Sequence, residues 1–183
     1  MSQKTMVRVV LTALFTALSV VSILLFRIPL IPAAPFLEYD MADVIVLLCT
    51  LLIGVVPGTV SLLIVCLIQA FFMGGNGIIG FLMHFVASEA MVLLFGLICR
   101  KRKTAGRLAL AAVFAILAMT LLMIPLNLVF TGIFMGTPIK EVAALLVPAI
   151  IPFNLLKAAI NSVAAVLLYI AFQPLYKKVV PNV

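Results

Sequence analysis

The chain has 183 residues, 67% of them hydrophobic and 9% charged, with twelve Lys and Arg against five Asp and Glu for a formal net charge of +7. This composition excludes a sizeable soluble domain and places the chain among polytopic membrane proteins. The positive charge does not indicate nucleic acid, because the basic residues cluster between apolar runs, as membrane orientation demands.

In chain order the hydropathy pattern predicts six helices, over about 6–28, 41–55, 57–73, 78–99, 108–130 and 151–173, each near the ~20 residues a crossing helix needs. The expected fold is an all-α integral membrane bundle, a single six-helix domain over 1–183 with a ligand pocket on its extracellular side. Lys4 and Arg8 precede the first run, which continues to Ile28. That is too long for a signal-peptide core, and the small pair Ala33-Ala34 is followed by Pro35, so the segment reads as a retained helix. Within it Ala13 and Ala17 form a small-x-x-x-small patch that lets another helix approach closely. Val56-Pro57-Gly58 separates the short second and third helices, with proline suited to a helix start; a broken or re-entrant pair is the alternative. Cys49, Cys66 and Cys99 lie in or at the end of apolar segments without metal-like spacing, and no disulfide is predicted.

Orientation follows from the cations. With the N-terminus in the cytoplasm, Lys4, Arg8, Arg100, Lys101, Arg102, Lys103, Arg107, Lys177 and Lys178 fall inside, while Arg27 and Lys140 fall outside. Both termini are then cytoplasmic in a multi-pass cell-membrane protein. The loops at 29–40, 73–77 and 131–148 face out, the last carrying a short amphipathic stretch around Lys140 to Leu146.

Lys157 lies within the last span, five residues into its apolar run. A charge there costs roughly 2.5–3.5 kcal/mol on insertion scales, so it marks a site hypothesis and needs a partner. Asn154, Lys157 and Asn161 share one helical face. The outer ends of the other helices add Glu38, Tyr39, Asp40, Asp43, Gln69, Asn76, His84 and Asn127 to the same layer. Asparagine both donates and accepts while lysine only donates, so Asn127, Asn154 and Lys157 together suit a planar heterocycle with alternating carbonyl and N–H groups. Phe36, Tyr39, Phe72, Phe81, Phe85, Phe130 and Phe153 offer rings to sandwich it. Structural alternatives stand beside this. Lys157 is within snorkelling reach of the outer interface, the asparagines can bond across helices, Asp40 and Asp43 suit a helix N-terminus, and His84 and Glu89 can serve as interhelical contacts.

Enzymatic readings find little support. His84 and Ser88 lie at i, i+4, but no Gly-x-Ser-x-Gly elbow or orienting acid accompanies them. A metal site would need more than one histidine or a thiolate cluster. No G-x-x-x-x-G-K-[ST] loop is present, so ATP-driven work would need a partner's ATPase.

The Ala13-x-x-x-Ala17 patch, Pro35-Phe36-Leu37-Glu38-Tyr39-Asp40-Met41-Ala42-Asp43, Gly74-Gly75-Asn76-Gly77 and Pro152-Phe153-Asn154-Leu155-Leu156-Lys157 make the chain resemble, over nearly its whole length, the substrate-binding (S) subunits of energy-coupling factor (ECF) vitamin transporters, most closely the riboflavin-specific members. The resemblance implies a high-affinity subunit that binds riboflavin from outside and carries it inward by tilting with its partners, a transmembrane coupling (T) subunit and two cytosolic ATPases. It further implies that Asn127, Asn154 and Lys157 hold the flavin's polar edge and that Ala13 and Ala17 dock the T subunit. Phe36, Leu37, Glu38, Tyr39, Asp40, Asn76 and His84 are expected around the ligand. No cofactor is expected; riboflavin is the cargo, and ATP is used by the partners. The alternatives are another vitamin, such as thiamine or biotin, and a membrane scaffold. Thiamine, a cation, would favour Glu38, Asp40 and Glu89 over Lys157.

Overall fold

The structure, a computed structural model, describes residues 2–32 and 34–180; Ala33, half of the small pair weighed above, lies outside the described residues. The first helix, α1 (Gln3–Leu25), starts where the Ser2 hydroxyl accepts from the Thr5 N–H. It ends three residues earlier than predicted. Arg27–Pro29 (β1) and Glu38–Asp40 (β2) instead form a short antiparallel hairpin, with Arg27 opposite Asp40, Ile28 opposite Tyr39 and Pro29 opposite Glu38. Pro29 cannot continue a helix and is tolerated in a strand that pairs on one side only.

The next helix, α2 (Ala42–Leu52), lies at the centre, packed against α1, α3 (Val55–Phe72), α4 (Gly77–Ile98) and α8 (Ile151–Val179). Nine of its eleven residues are buried. A helix that is apolar on every side belongs inside a protein, which is what its Val-Ile-Val-Leu-Leu-Cys run encodes. At roughly 16 Å it is too short to cross a hydrocarbon core by itself. Five other stretches are long and apolar enough: Gln3–Leu25, Val55–Phe72, Gly77–Ile98, Ala105–Met135 and Ile139–Lys178. The six helical segments thus occur where the hydropathy places them, five at full length and one as a shorter central post. The break between α2 and α3 comes at Gly54, whose φ of 140° is open to glycine alone, and Pro57 sits in the first turn of α3, where no N–H is needed.

The remaining elements are α5 (Ala105–Leu126), a π-helical turn at Asn127–Thr131, α6 (Gly132–Met135), α7 (Ile139–Leu145), a second π turn at Leu146–Ile150, and α8. The amphipathic stretch read around Lys140 to Leu146 is α7, which buries Val142. The outward faces of the long helices, such as Leu14, Leu18, Leu121 and Leu167, are exposed and apolar, as contact with lipid requires. Cys49, Cys66 and Cys99 are buried and free.

The α3–α4 loop is held by a close approach. A Cβ at Gly80 would lie 1.7 Å from the Gly75 carbonyl oxygen. Gly80→Ala should therefore destabilise the purified chain by about 1–3 kcal/mol in thermal denaturation, whereas Gly106→Ala, with nothing within 4 Å, should be neutral or slightly stabilising. Equal melting of the two variants would contradict this packing.

Candidate binding site

Beneath the hairpin, between the end of α3, the start of α4, the end of α5 and the start of α8, lies a cavity of about 150 Å³. Phe36, Leu37, Glu38, Asp40, Asn76, His84, Asn127, Asn154 and Lys157, nine of the residues singled out as ligand contacts, all line it, as does Gln69. Most of the polar layer inferred from the sequence thus meets in one cavity, while Tyr39, Asp43 and Asn161 of that layer do not line it.

Two carboxylates organise it. Asp40, the last residue of β2, accepts from the Ala42 N–H at 3.1 Å through Oδ1, which starts α2. Its Oδ2 accepts from Lys157 Nζ at 3.2 Å and from Gln69 Nε2 at 3.3 Å. Lys157 is buried and turned inward, so it does not snorkel to the interface. Its partner is Asp40. Burial presses the Asp40 carboxyl toward its neutral form, but the Lys157 ammonium overcomes this and holds it below the usual carboxylate range. One turn on, Asp43 meets His84 Nε2 at 3.1 Å, the Ser88 hydroxyl at 2.9 Å and Asn161 Nδ2 at 3.5 Å. Asp43 and Asn161 form a layer below the cavity, and the His84–Ser88 pair considered as a dyad donates to this carboxylate. Asp40 and Asp43 do more than favour a helix dipole: they tie α2 to α3, α4 and α8.

The asparagines are placed by backbone irregularities that hydropathy does not reveal. Asn127 opens the first π turn, just after Pro125 within α5; its Nδ2 donates to the Met123 carbonyl at 2.7 Å, and its Oδ1 accepts from Thr131 at 2.8 Å. Asn154 follows the second π turn, which contains Pro148, and donates to the Ile150 carbonyl at 2.8 Å. A π turn changes which residues face inward, and such turns recur at functional sites. Asn154 Oδ1 is buried and has no hydrogen-bond partner, and the same is true of Gln69 Oε1. Two acceptors in one cavity therefore await donors.

The walls differ from those expected. Tyr39 does not line the cavity; alternation along β2 turns it the other way, into a second apolar cluster with Leu37, Val142, Ile150 and Phe153. Of the rings proposed to sandwich a ligand, Phe36 and Phe153 line the cavity, while Phe72 is 83% exposed and Phe81 stacks on Phe85 at 5.7 Å. Met83, Met119, Met123 and Phe134 add to the apolar surface, with Ile79 and the small side chains of Cys66, Ala70 and Ala87. Methionine in an apolar run looks like any core or lipid residue, so only the fold could select these three.

Arg27 also borders the cavity. Its guanidinium pairs with Glu38 and reaches the Met73 carbonyl, clasping the hairpin to the α3–α4 loop. On the opposite flank, Ala13 and Ala17 lie exposed in an apolar groove between α1 and α3, with Val56, Val60 and Ile64 on its far wall.

Removing one partner of a buried ion pair strands the other, at a cost of about 3–5 kcal/mol. Asp40→Asn should lower stability on that scale in chemical denaturation. The double variant Asp40→Asn/Lys157→Met should recover most of the loss. A double variant as unstable as the sum of both singles would refute the pairing.

Comparison with known proteins agrees with this architecture. The family model for the substrate-specific component of ECF transporters matches residues 7–169. A curated protein, riboflavin transporter RibU of Streptococcus thermophilus, is 30% identical over 177 residues, covering 91% of this chain and 84% of its own length. A solved structure described as that of the S component of a bacterial ECF transporter aligns with a TM-score of 0.76 at 28% identity, over 93% of this chain and 97% of that one. The chain is a multi-pass membrane protein and belongs to the family of ECF transporter substrate-specific components.

Proposed function

We propose that this chain is the riboflavin-binding S subunit of an ECF vitamin importer and performs no chemistry on its cargo. The observation that carries the reading is the convergence of a lysine ammonium and an unpartnered asparagine oxygen in one cavity that methionine and phenylalanine also line. A flavin divides in the same way. Its dimethylbenzene end needs apolar walls, and its pyrimidinedione end presents carbonyl acceptors and one N–H donor. Asn154 Oδ1 suits that N–H, and Lys157 Nζ suits a carbonyl or ring nitrogen. Asn127, Glu38, Asp40, Asn76 and His84 surround the same space, Asp40 by holding Lys157 rather than by replacing it. Thiamine fits less well, because the cavity's buried cation would face a cationic ligand.

The hollow is smaller than the roughly 300–1,000 Å³ usual for ligand sites, so a three-ring ligand enters by displacing the hairpin roof held at Arg27. With nine cations at one end of the bundle, that end and both termini face the cytoplasm, and the cavity faces out. A T subunit docks in the α1–α3 groove at Ala13 and Ala17, two cytosolic ATPases supply the energy, and the loaded subunit tilts to release the vitamin inward. The residues that support docking are the two exposed small side chains in an apolar groove of about 760 Å³.

The chain purified from riboflavin-containing medium should be yellow, with a flavin spectrum that survives washing; colourless protein that retains thiamine would sink the assignment. Lys157→Ala and Asn154→Ala should each weaken riboflavin binding by about 1–3 kcal/mol in titration calorimetry, and parental affinity in both would remove their roles. Ala13→Trp should abolish vitamin uptake by cells while the isolated variant still binds riboflavin; normal uptake would rule out the groove as the docking face.

A further inference from the structure

The end of the bundle opposite the proposed flavin site holds a second hollow, of about 640 Å³, between the ends of α2 and α8 and the α4–α5 loop. Arg100, Lys101, Arg102 and Lys103 border it from the loop and Lys177 from the last turn of α8. No Asp or Glu side chain among the described residues offsets them. Glu38, Asp40 and Asp43 lie at the other end and Glu141 on α7, while Glu89 accepts from Thr59 about two and a half turns before α4 ends. None of the five cations forms an ion pair among the described residues.

Membrane orientation accounts for positive charge at this end but not for its arrangement round a cavity. Lys103 is fixed in place: its Nζ donates to the Leu51 carbonyl at the end of α2 and lies 5.7 Å from the centroid of the Tyr169 ring. The Tyr169 hydroxyl is itself engaged by Gln173. Tyr176 also borders the hollow, and its hydroxyl oxygen is shielded from solvent without a hydrogen-bond partner. One unpaired O–H, a fixed ammonium and four free cations make a site for an oxyanion, which guanidinium and ammonium groups bind through charge-assisted hydrogen bonds. On the same helix ends Leu97 and Leu175 are exposed, at 62% and 55%, and offer tracks for acyl chains.

We propose that this hollow binds the phosphate of one anionic phospholipid of the adjoining leaflet, the kind of ligand that basic pockets between helices at this membrane face select. Placing that leaflet on the cytoplasmic side rests on the orientation proposed above. The binding itself does not, so the two stand or fall separately.

The test uses the full chain in phosphatidylcholine nanodiscs containing a minor share of phosphatidylglycerol, with native mass spectrometry counting the lipids retained. The parent should keep one phosphatidylglycerol in preference to phosphatidylcholine. Arg100→Gln/Lys177→Gln should weaken that retention about thirtyfold, at about 1 kcal/mol per cation. Lys4→Gln/Lys178→Gln, which removes the same charge outside the cavity, should not. Tyr176→Phe keeps every charge and should weaken retention about fivefold, the effect of one hydrogen bond. Equal loss in the two double variants would reduce the effect to net charge and overturn the proposal. Displacement of the lipid by millimolar inorganic phosphate would make this a site for free phosphate, and no preference between the two lipids would leave the cations to an acidic protein surface; either result overturns it too.

Discussion

Two carboxylates three residues apart, Asp40 and Asp43, hold this bundle in register. In lipid, an apolar helix face gains little by leaving the bilayer for a neighbour, so packing detail and buried polar contacts decide which helices meet and at what height. Asp40 joins the hairpin to Lys157 on α8 and Gln69 on α3, and Asp43 joins α2 to His84 and Ser88 on α4 and to Asn161 on α8. Asp40 lies just before, and Asp43 within, the first turn of the one helix that most of the others surround. A slip of α2 that carried Asp40 a turn away from α8 would leave Lys157 without its counter-ion.

The cavity is a consequence of this arrangement. Lys157 would be costly in lipid, but with Asp40 beside it the ammonium is held at a fixed point with donor capacity left over, since one of its hydrogens reaches the carboxylate and it has three. The two π turns then bring Asn127, just after α5, and Asn154, at the start of α8, to the same cavity. Preorganised polar groups against methionine walls describe a site for a ligand that is polar at one end and apolar along its body. Methionine has the conformational freedom to close over planar rings that the unliganded hollow is too small to hold.

The surfaces with a proposed role are spatially separate. The flavin cavity opens at one end, the small-residue groove runs along the α1–α3 flank, and the basic hollow occupies the opposite end. A subunit with no nucleotide loop of its own benefits from this division. On these proposals a partner grips the flank and a lipid sits at the base, and neither touches the residues proposed to hold the cargo. The clasp from Arg27 to Glu38 and the Met73 carbonyl spans the roof alone, so opening the cavity need not disturb the Asp43 layer beneath it.

The sequence by itself determined the membrane class and the all-α fold, and it marked most of the polar residues that meet in the cavity, because hydropathy and the cost of intramembrane charge act locally and leave their mark on composition. Asn154 and Lys157 were legible for the same reason: each is a polar break in an apolar run. What the tertiary structure decided was partnership. That Lys157 pairs with Asp40, 117 positions away, depends on how the hairpin folds back over α8, and no periodicity encodes it. The inward turn of Asn127, the rotation of Tyr39 out of the cavity and the choice of Met83, Met119 and Met123 over most of the phenylalanines depend likewise on π turns, strand alternation and helix rotation. Those are settled only when the helices pack, because an apolar side chain facing lipid and one facing a ligand have the same local signature.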